Sequence, residues 1–98
     1  MGTQDNELLA NYTITVTVRY FARLRESFGV GSERVELAPR GADVAALRDL
    51  LRARGGVWAE ELAAGRAVRI AVNQEMAEPT WPLCDGDEIG FLPPVTGG

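Results

Sequence analysis

Histidine and lysine are both missing from this 98-residue chain, and cysteine occurs once. Without histidine there is no imidazole to serve as a general base near neutral pH. One cysteine, Cys84, is too few for a zinc or iron–sulfur site. It forms no internal disulfide, which agrees with a reducing compartment. It reads as a small, semi-buried residue rather than a sulfur relay. Asp85 and Asp87, separated by Gly86 alone, read as turn formers rather than ligands, and no metal site is expected. No run is long and apolar enough to span a membrane. Met1 to Asn11 lack the regions of a signal peptide, so a cytoplasmic location is expected. The net charge of −4 argues against nucleic acid and suits a partner with a basic docking surface. All ten basic residues are arginine, as a GC-rich genome favours.

What is present is one domain's worth of alternating and helical pattern. Tyr12 to Phe21 alternates, with Ile14, Val16, Val18 and Tyr20 on one face and Thr13, Thr15, Thr17 and Arg19 on the other. Phe21 falls on the polar face. Ala22 to Phe28 makes two helical turns, with Leu24 and Phe28 four apart and Gly29 at the stop. Glu33 to Leu37 is a second strand, with Val35 and Leu37 inward, and should pair antiparallel with the first. Asp43 caps a helix from Val44 to about Arg54, with Val44, Leu47, Leu50 and Leu51 on one face. A shorter helix is expected over Trp58 to Ala64. Val68 to Asn73 is a strand, and Asn73-Gln74-Glu75 turns it. Met76 begins a short irregular stretch interrupted by Pro79 and Pro82, suited to an edge. Asp85-Gly86-Asp87 turns into a last strand, Glu88 to Leu92, with Ile89 and Phe91 inward and Leu92 outward. The fold class is α+β, a four-to-five-stranded mixed sheet packed on one main helix. Residues 1–11 are a loose extension, 12–93 the domain and 94–98 a tail. Trp58 and Trp81 read as core or cover. Arg23, Arg25 and Glu26 read as solvated charges on a short helix.

The end of the chain is the one stretch with chemistry in it. Pro93 and Pro94 stop the last strand and hold the backbone extended. Val95 and Thr96 lead to Gly97 and Gly98, which have no Cβ and pass where a side chain cannot. From Pro94 the chain reaches roughly 15 Å at about 3.3 Å per residue. The result is a carboxylate on a slim stalk, or else a frayed terminus.

Tyr20-Phe21-Ala22-Arg23-Leu24-Arg25-Glu26, Val72-Asn73-Gln74, Leu83, Asp85-Gly86-Asp87-Glu88 and Phe91 to Gly98 together resemble the ubiquitin-like sulfur carriers that form the small subunit of molybdopterin synthase. The match runs from about Thr13 to Gly98. It implies a β-grasp fold whose first and last strands lie parallel in mid-sheet, so that Phe21 sits near the root of the tail. Phe21, Met76 and Leu92 would be the docking residues, the alternative being that Phe21 and Met76 cap the core. By the same resemblance Gly98 is adenylated and converted to a thiocarboxylate, then donates sulfur to cyclic pyranopterin monophosphate. ATP would bind a ubiquitin-activating-like adenylyltransferase, and no cofactor would bind this chain. The implied partners are that activating enzyme, a persulfide sulfur donor and the synthase large subunit, in a heterotetramer of two small and two large subunits. Alone the chain would be non-catalytic. The rival readings are a carrier for thiamine thiazole, cysteine or tRNA thiolation, a protein modifier joined to lysines, and a β-grasp binding module.

Overall fold

The computed structural model describes residues 12–94; Met1 to Asn11 and Val95 to Gly98 lie outside the described residues. Five strands and three helices run in the order β1 (Ile14–Tyr20), α1 (Ala22–Phe28), β2 (Ser32–Leu37), α2 (Val44–Arg52), α3 (Gly56–Glu61), β3 (Arg69–Val72), β4 (Glu75–Met76) and β5 (Glu88–Leu92). They form one mixed sheet in the order β2-β1-β5-β3-β4. β1 pairs antiparallel with β2, Val16 opposite Val35, and parallel with β5, Val18 opposite Ile89. The first and last strands therefore lie side by side in mid-sheet, as the β-grasp expectation requires. β3 is antiparallel to β5, with Ile70 opposite Phe91.

Period-2 alternation decides which face is buried. Ile14, Val16, Val18 and Tyr20 of β1 meet Ile89 and Phe91 of β5 and Ile70 and Val72 of β3 in one core. The helices close it: Leu24 of α1, Val44, Leu47 and Leu51 of α2, and Leu62 just after α3 are all buried. Leu50 was expected on the same stripe but is 43% exposed. At 100° per residue it stands a full step from Leu51 and falls off the buried arc.

The ends of the helices follow local chemistry. Asp43 is extended, and its carboxylate accepts the Ala46 N–H at 2.8 Å, the expected N-cap. α2 stops at Arg52, capped by Ala53, rather than near Arg54. Gly55, at φ +79 and ψ −172, caps the next helix, a backbone that glycine takes without strain. α3 therefore starts at Gly56, before the expected Trp58. It ends at Glu61, not Ala64, because Arg48 collects the carbonyls beyond it. The Arg48 guanidinium donates to the oxygens of Leu62, Ala63 and Arg66 at 2.9, 2.7 and 3.0 Å. Burial pulls its pKa down. Met76 lies in a two-residue edge strand opposite Ala71, not in an irregular stretch.

Candidate functional site

The outer face of the sheet presents the side chains that the core does not take. On β1 these include Thr17 and Arg19, and on β5 Glu88, Gly90 and Leu92, with Arg19 opposite Gly90 and Thr17 opposite Glu88. Gly90 is in turn opposite Ala71 of β3, and Ala71 opposite Met76 of β4. Two small residues in mid-row make a floor. Phe21, Leu92 and Met76 rise around it, with Arg19, Gln74 and Glu88 on the rim, enclosing a concavity of about 280 Å³. The three residues expected to dock are thus brought to one place. None belongs to the core: Phe21 is 37% and Met76 52% exposed, and Leu92 is half-buried.

Backbone geometry sets Phe21 there. Its N–H donates to the Phe91 carbonyl at 3.1 Å, the step after the parallel pair Tyr20 and Phe91. Its own carbonyl accepts from Leu24 N–H at 3.1 Å, and Ala22 between them takes φ +51. A left-handed backbone costs a non-glycine residue roughly 1–2 kcal/mol. The turn diverts the chain into α1 while the Phe21 ring reaches over Gly90 of β5. A Cβ placed on Gly90 would come within 3.1 Å of Phe21 Cε2, so the ring rests on bare backbone. The Arg19 guanidinium sits 5.4 Å from the ring centroid and pairs with Glu88 at 3.2 Å. Both side chains are more than a third exposed, so that ion pair adds little stability.

Beneath this face, Tyr20 anchors the strand that carries Phe21. It is buried, and its O–H donates to Glu33 Oε2 at 2.7 Å. Glu33 also takes two hydrogen bonds from Arg54, at 2.8 and 2.9 Å. Arg54 lies 4.4 Å above the Trp58 ring, and Trp58 stacks on Phe28 at 3.9 Å. Burial, then the Glu33 carboxylate, pushes the Tyr20 phenol far above its ordinary pKa. Arg54's hydrogen bonds hold Glu33 below the usual carboxylate range, against a smaller opposing effect of burial.

A second set of bonds fixes the hairpin that carries Met76. Asn73 and Gln74 have φ of +49 and +72, the two left-handed positions of a tight two-residue hairpin. Asn73 Nδ2 donates to Asp87 Oδ1 at 3.0 Å and its Oδ1 accepts from Glu88 N–H at 3.0 Å. Asp85 Oδ1 accepts from Thr15 N–H at 2.7 Å, Asp87 Oδ2 accepts from Cys84 N–H at 2.8 Å, and Gly86 takes φ +89. The Asp-Gly-Asp segment is therefore a turn tied to β1 and to the β3–β4 hairpin. Among the described residues no group of three or more His, Cys, Asp or Glu could hold a metal ion.

Other sequence expectations divide. Cys84 is exposed, not semi-buried: its backbone is spent on the Asp87 turn, and the neighbouring core position is Leu83. Trp58 packs on the core as expected, whereas Trp81 is 40% exposed. Arg23 is not simply solvated but pairs with Glu61 of α3 at 3.2 Å. Pro93 is half-buried and Pro94 exposed, directly after β5 and beside the concavity. The remaining tail residues, Val95, Thr96, Gly97 and Gly98, lie outside the described residues. Gln74, Ala71 and Gly90 were not foreseen at the site. The alternation already placed Gly90 on the outer face, but the row across β1, β5, β3 and β4 needs the register.

The ThiS family model matches residues 18–98. The molybdopterin synthase sulfur carrier subunit of Escherichia coli is 42% identical over 83 residues, covering 85% of this chain and 99% of that one. A solved complex of subunits 1 and 2 of the molybdopterin-converting factor from Helicobacter pylori contains a chain with TM-score 0.61 and 30% identity, covering 87% of this chain and all of that one. The small archaeal modifier protein 1 of Methanosarcina acetivorans matches with TM-score 0.59 and 27% identity, over 90% of this chain and all of its own.

Proposed function

The chain belongs to the ThiS family, and on that premise we propose that it is the sulfur carrier subunit of a molybdopterin synthase. The observation that carries the reading is the placement of Phe21, Met76 and Leu92 around one exposed concavity at the end of β5, immediately before the Pro93-Pro94 root of a Gly-Gly terminus. A reactive chain end needs a rigid body that presents it and a surface that holds it in register with its partner. Exposed apolar side chains on an otherwise polar sheet face are the usual form of such a surface. The 42% identity to a carrier subunit and the likeness to a chain solved as part of a two-subunit converting factor support the large subunit as that partner.

The chemistry starts from a poor electrophile. A carboxylate repels nucleophiles, and oxide is a poor leaving group. The Gly98 carboxylate attacks the α-phosphorus of ATP, bound by an activating adenylyltransferase, and pyrophosphate leaves. Sulfur from a persulfide donor then attacks the acyl carbon and AMP departs. Reductive cleavage of the acyl disulfide by a thiol leaves a thiocarboxylate on Gly98. The tail next enters the large subunit, where its sulfur attacks cyclic pyranopterin monophosphate. Two loaded carriers supply the two sulfurs of the dithiolene. Gly97 narrows the stalk, while Val95 and Thr96 extend it. Pro93 and Pro94 reduce the entropy lost on threading. Phe21, Met76 and Leu92 dock. The acids and bases of the pterin chemistry belong to the large subunit. The assembly is a heterotetramer, and the reactions take place in the cytoplasm.

The test is to incubate the full chain with an activating adenylyltransferase, ATP and a persulfide donor and to weigh it intact. The oxygen-to-sulfur mass shift at Gly98, lost on deletion of that residue, is the expected result. No shift with a competent activating enzyme would overturn carrier function. A protein-modifier role draws support from the archaeal modifier likeness at 27% identity. It predicts adducts on target lysines in cells, which a pure carrier does not form.

A further inference from the structure

The two edges of the sheet are built differently. β4 is two residues long and is followed by Pro79 and Pro82, which blunts it against strand addition. β2 is six residues, Ser32 to Leu37, with neither proline nor glycine inside it. Tyr20 N–H bonds the Gly31 carbonyl at 3.0 Å, and the β1–β2 register is fixed. Antiparallel alternation then turns the backbone groups of Glu33, Val35 and Leu37 toward β1. Those of Ser32, Arg34 and Glu36 point away from the sheet at its free edge.

We propose that this edge pairs with the β2 edge of a second copy of the chain, antiparallel and centred on Val35. Charge complementarity selects that occupant. In this register Arg34 of each copy lies opposite Glu36 of the other, twice over. Both residues are exposed, and neither joins an ion pair among the described residues; Glu36 accepts only a hydrogen bond from Thr13 Oγ1 at 3.2 Å. The register also satisfies the backbone, because residues 34 and 36 are ones whose N–H and C=O groups face away from β1 and, among the described residues, bond no other strand. Centring on Arg34 instead would set two arginines face to face. Along the inner flank of the edge Leu37, Ala38, Ala46 and Leu50, together with the charged Glu36, Arg40 and Asp49, line a concavity of about 470 Å³. The exposed Leu50 thus lies on the side that a second copy approaches. β2 is separated from the Phe21 concavity by β1, so pairing there leaves the tail and its docking face free.

A single-strand interface is small, and association should be weak. Sedimentation velocity of the full chain over about a hundredfold range of concentration reads it. A monomer–dimer equilibrium is expected. Arg34→Glu and Glu36→Arg should each weaken it about tenfold or more, since each puts like charges opposite at both sites. The double swap, Arg34→Glu with Glu36→Arg, should restore it. So should an equimolar mixture of the two single variants, because the mixed pair recovers opposite charges at both positions. Circular dichroism of each variant verifies folding, and the mixture needs no new variant. A monomer at every concentration would overturn the proposal, as would a dimer indifferent to both reversals or a mixture that fails to recover. None of these outcomes depends on sulfur loading of Gly98, so the carrier reading stands or falls separately.

Discussion

Phe21, just past the end of β1, and Phe91 of β5 are hydrogen-bonded neighbours, and truncating each to alanine separates docking from packing. Phe91 is completely buried in the core. Phe91→Ala should cost about 3–5 kcal/mol, as large-to-small core changes do. Phe21 is 37% exposed and rests on the Gly90 backbone, where its loss opens no internal cavity. With roughly 60% of a side chain of about 150 Å² covered, the transfer value is about 2 kcal/mol. A realistic unfolded chain lowers that to about 1.5 kcal/mol. In a domain of this size the two variants should differ in Tm by about 10 °C or more. Their order should reverse in binding. At 25 °C Phe21→Ala should weaken affinity for the synthase large subunit by about 2 kcal/mol or more, roughly thirtyfold. Thermal melts and calorimetric titration on the same preparations decide it. Equal destabilisation by the two changes would place Phe21 in the core. Unchanged affinity in a folded Phe21→Ala would remove it from the docking surface.

Gly90→Val should fill the concavity and push the Phe21 ring aside, since even a Cβ meets it at 3.1 Å. Binding to the large subunit should fall about tenfold or more while urea unfolding moves by less than about 1 kcal/mol, because valine suits a strand better than glycine. Tyr20→Phe should cost about 1–2 kcal/mol at pH 7, the value of a hydrogen bond to a charged acceptor. In the parent, the raised phenol pKa gives stability that is fully present below pH 10 and is lost above it. The loss is about 1.4 kcal/mol per pH unit as the unfolded phenol ionises; urea midpoints through that window should flatten in Tyr20→Phe. Glu33, whose pKa is depressed in the folded chain, behaves oppositely. Its contribution is present above the ordinary 4.5 and is lost as pH falls through the folded value. Glu33→Gln should therefore remove part of the acid sensitivity seen in the same titration. Asp43→Ala should cost about 1 kcal/mol by freeing the Ala46 N–H, read as a lower urea midpoint at pH 7.

The parts of the fold written in local pattern were legible, and those decided by distant partners were not. Strict alternation marked Ile14, Val16 and Val18 as core without knowledge of what they pack against. Asp43 announced its helix because capping is settled within three residues. The C-terminal limit of α3 was not legible, because Arg48, 14 residues from Leu62 in sequence, captures the carbonyls that end it. Leu50 was misplaced because a stripe read from spacing has no sharp edge, and only the packed sheet shows where burial stops. At the site, Phe21 and Leu92 stood out as apolar residues on polar-patterned faces, a signal contained in the strands themselves. Gly90 and Ala71 carried no such mark. A small residue on an outer face means nothing until the register sets it between Phe21 and Met76.

The two networks under the site explain why its shape is fixed although its members are exposed. Two exposed side chains and a half-buried third would normally sample several positions at little cost. Here the freedom is removed from the backbone side. Phe21 N–H is held by the Phe91 carbonyl, and the preceding Tyr20 is bonded through Glu33 to Arg54. The β3–β4 hairpin that carries Met76 cannot turn away while Asn73 bridges Asp87 and Glu88. Both networks close on β5, the strand that ends in Pro93. Phe21, Met76, Leu92 and the root of the tail therefore belong to one connected unit. A partner that seats Phe21 and Met76 also fixes the point from which the last residues depart, and the length of the stalk alone then sets how deep Gly98 can reach.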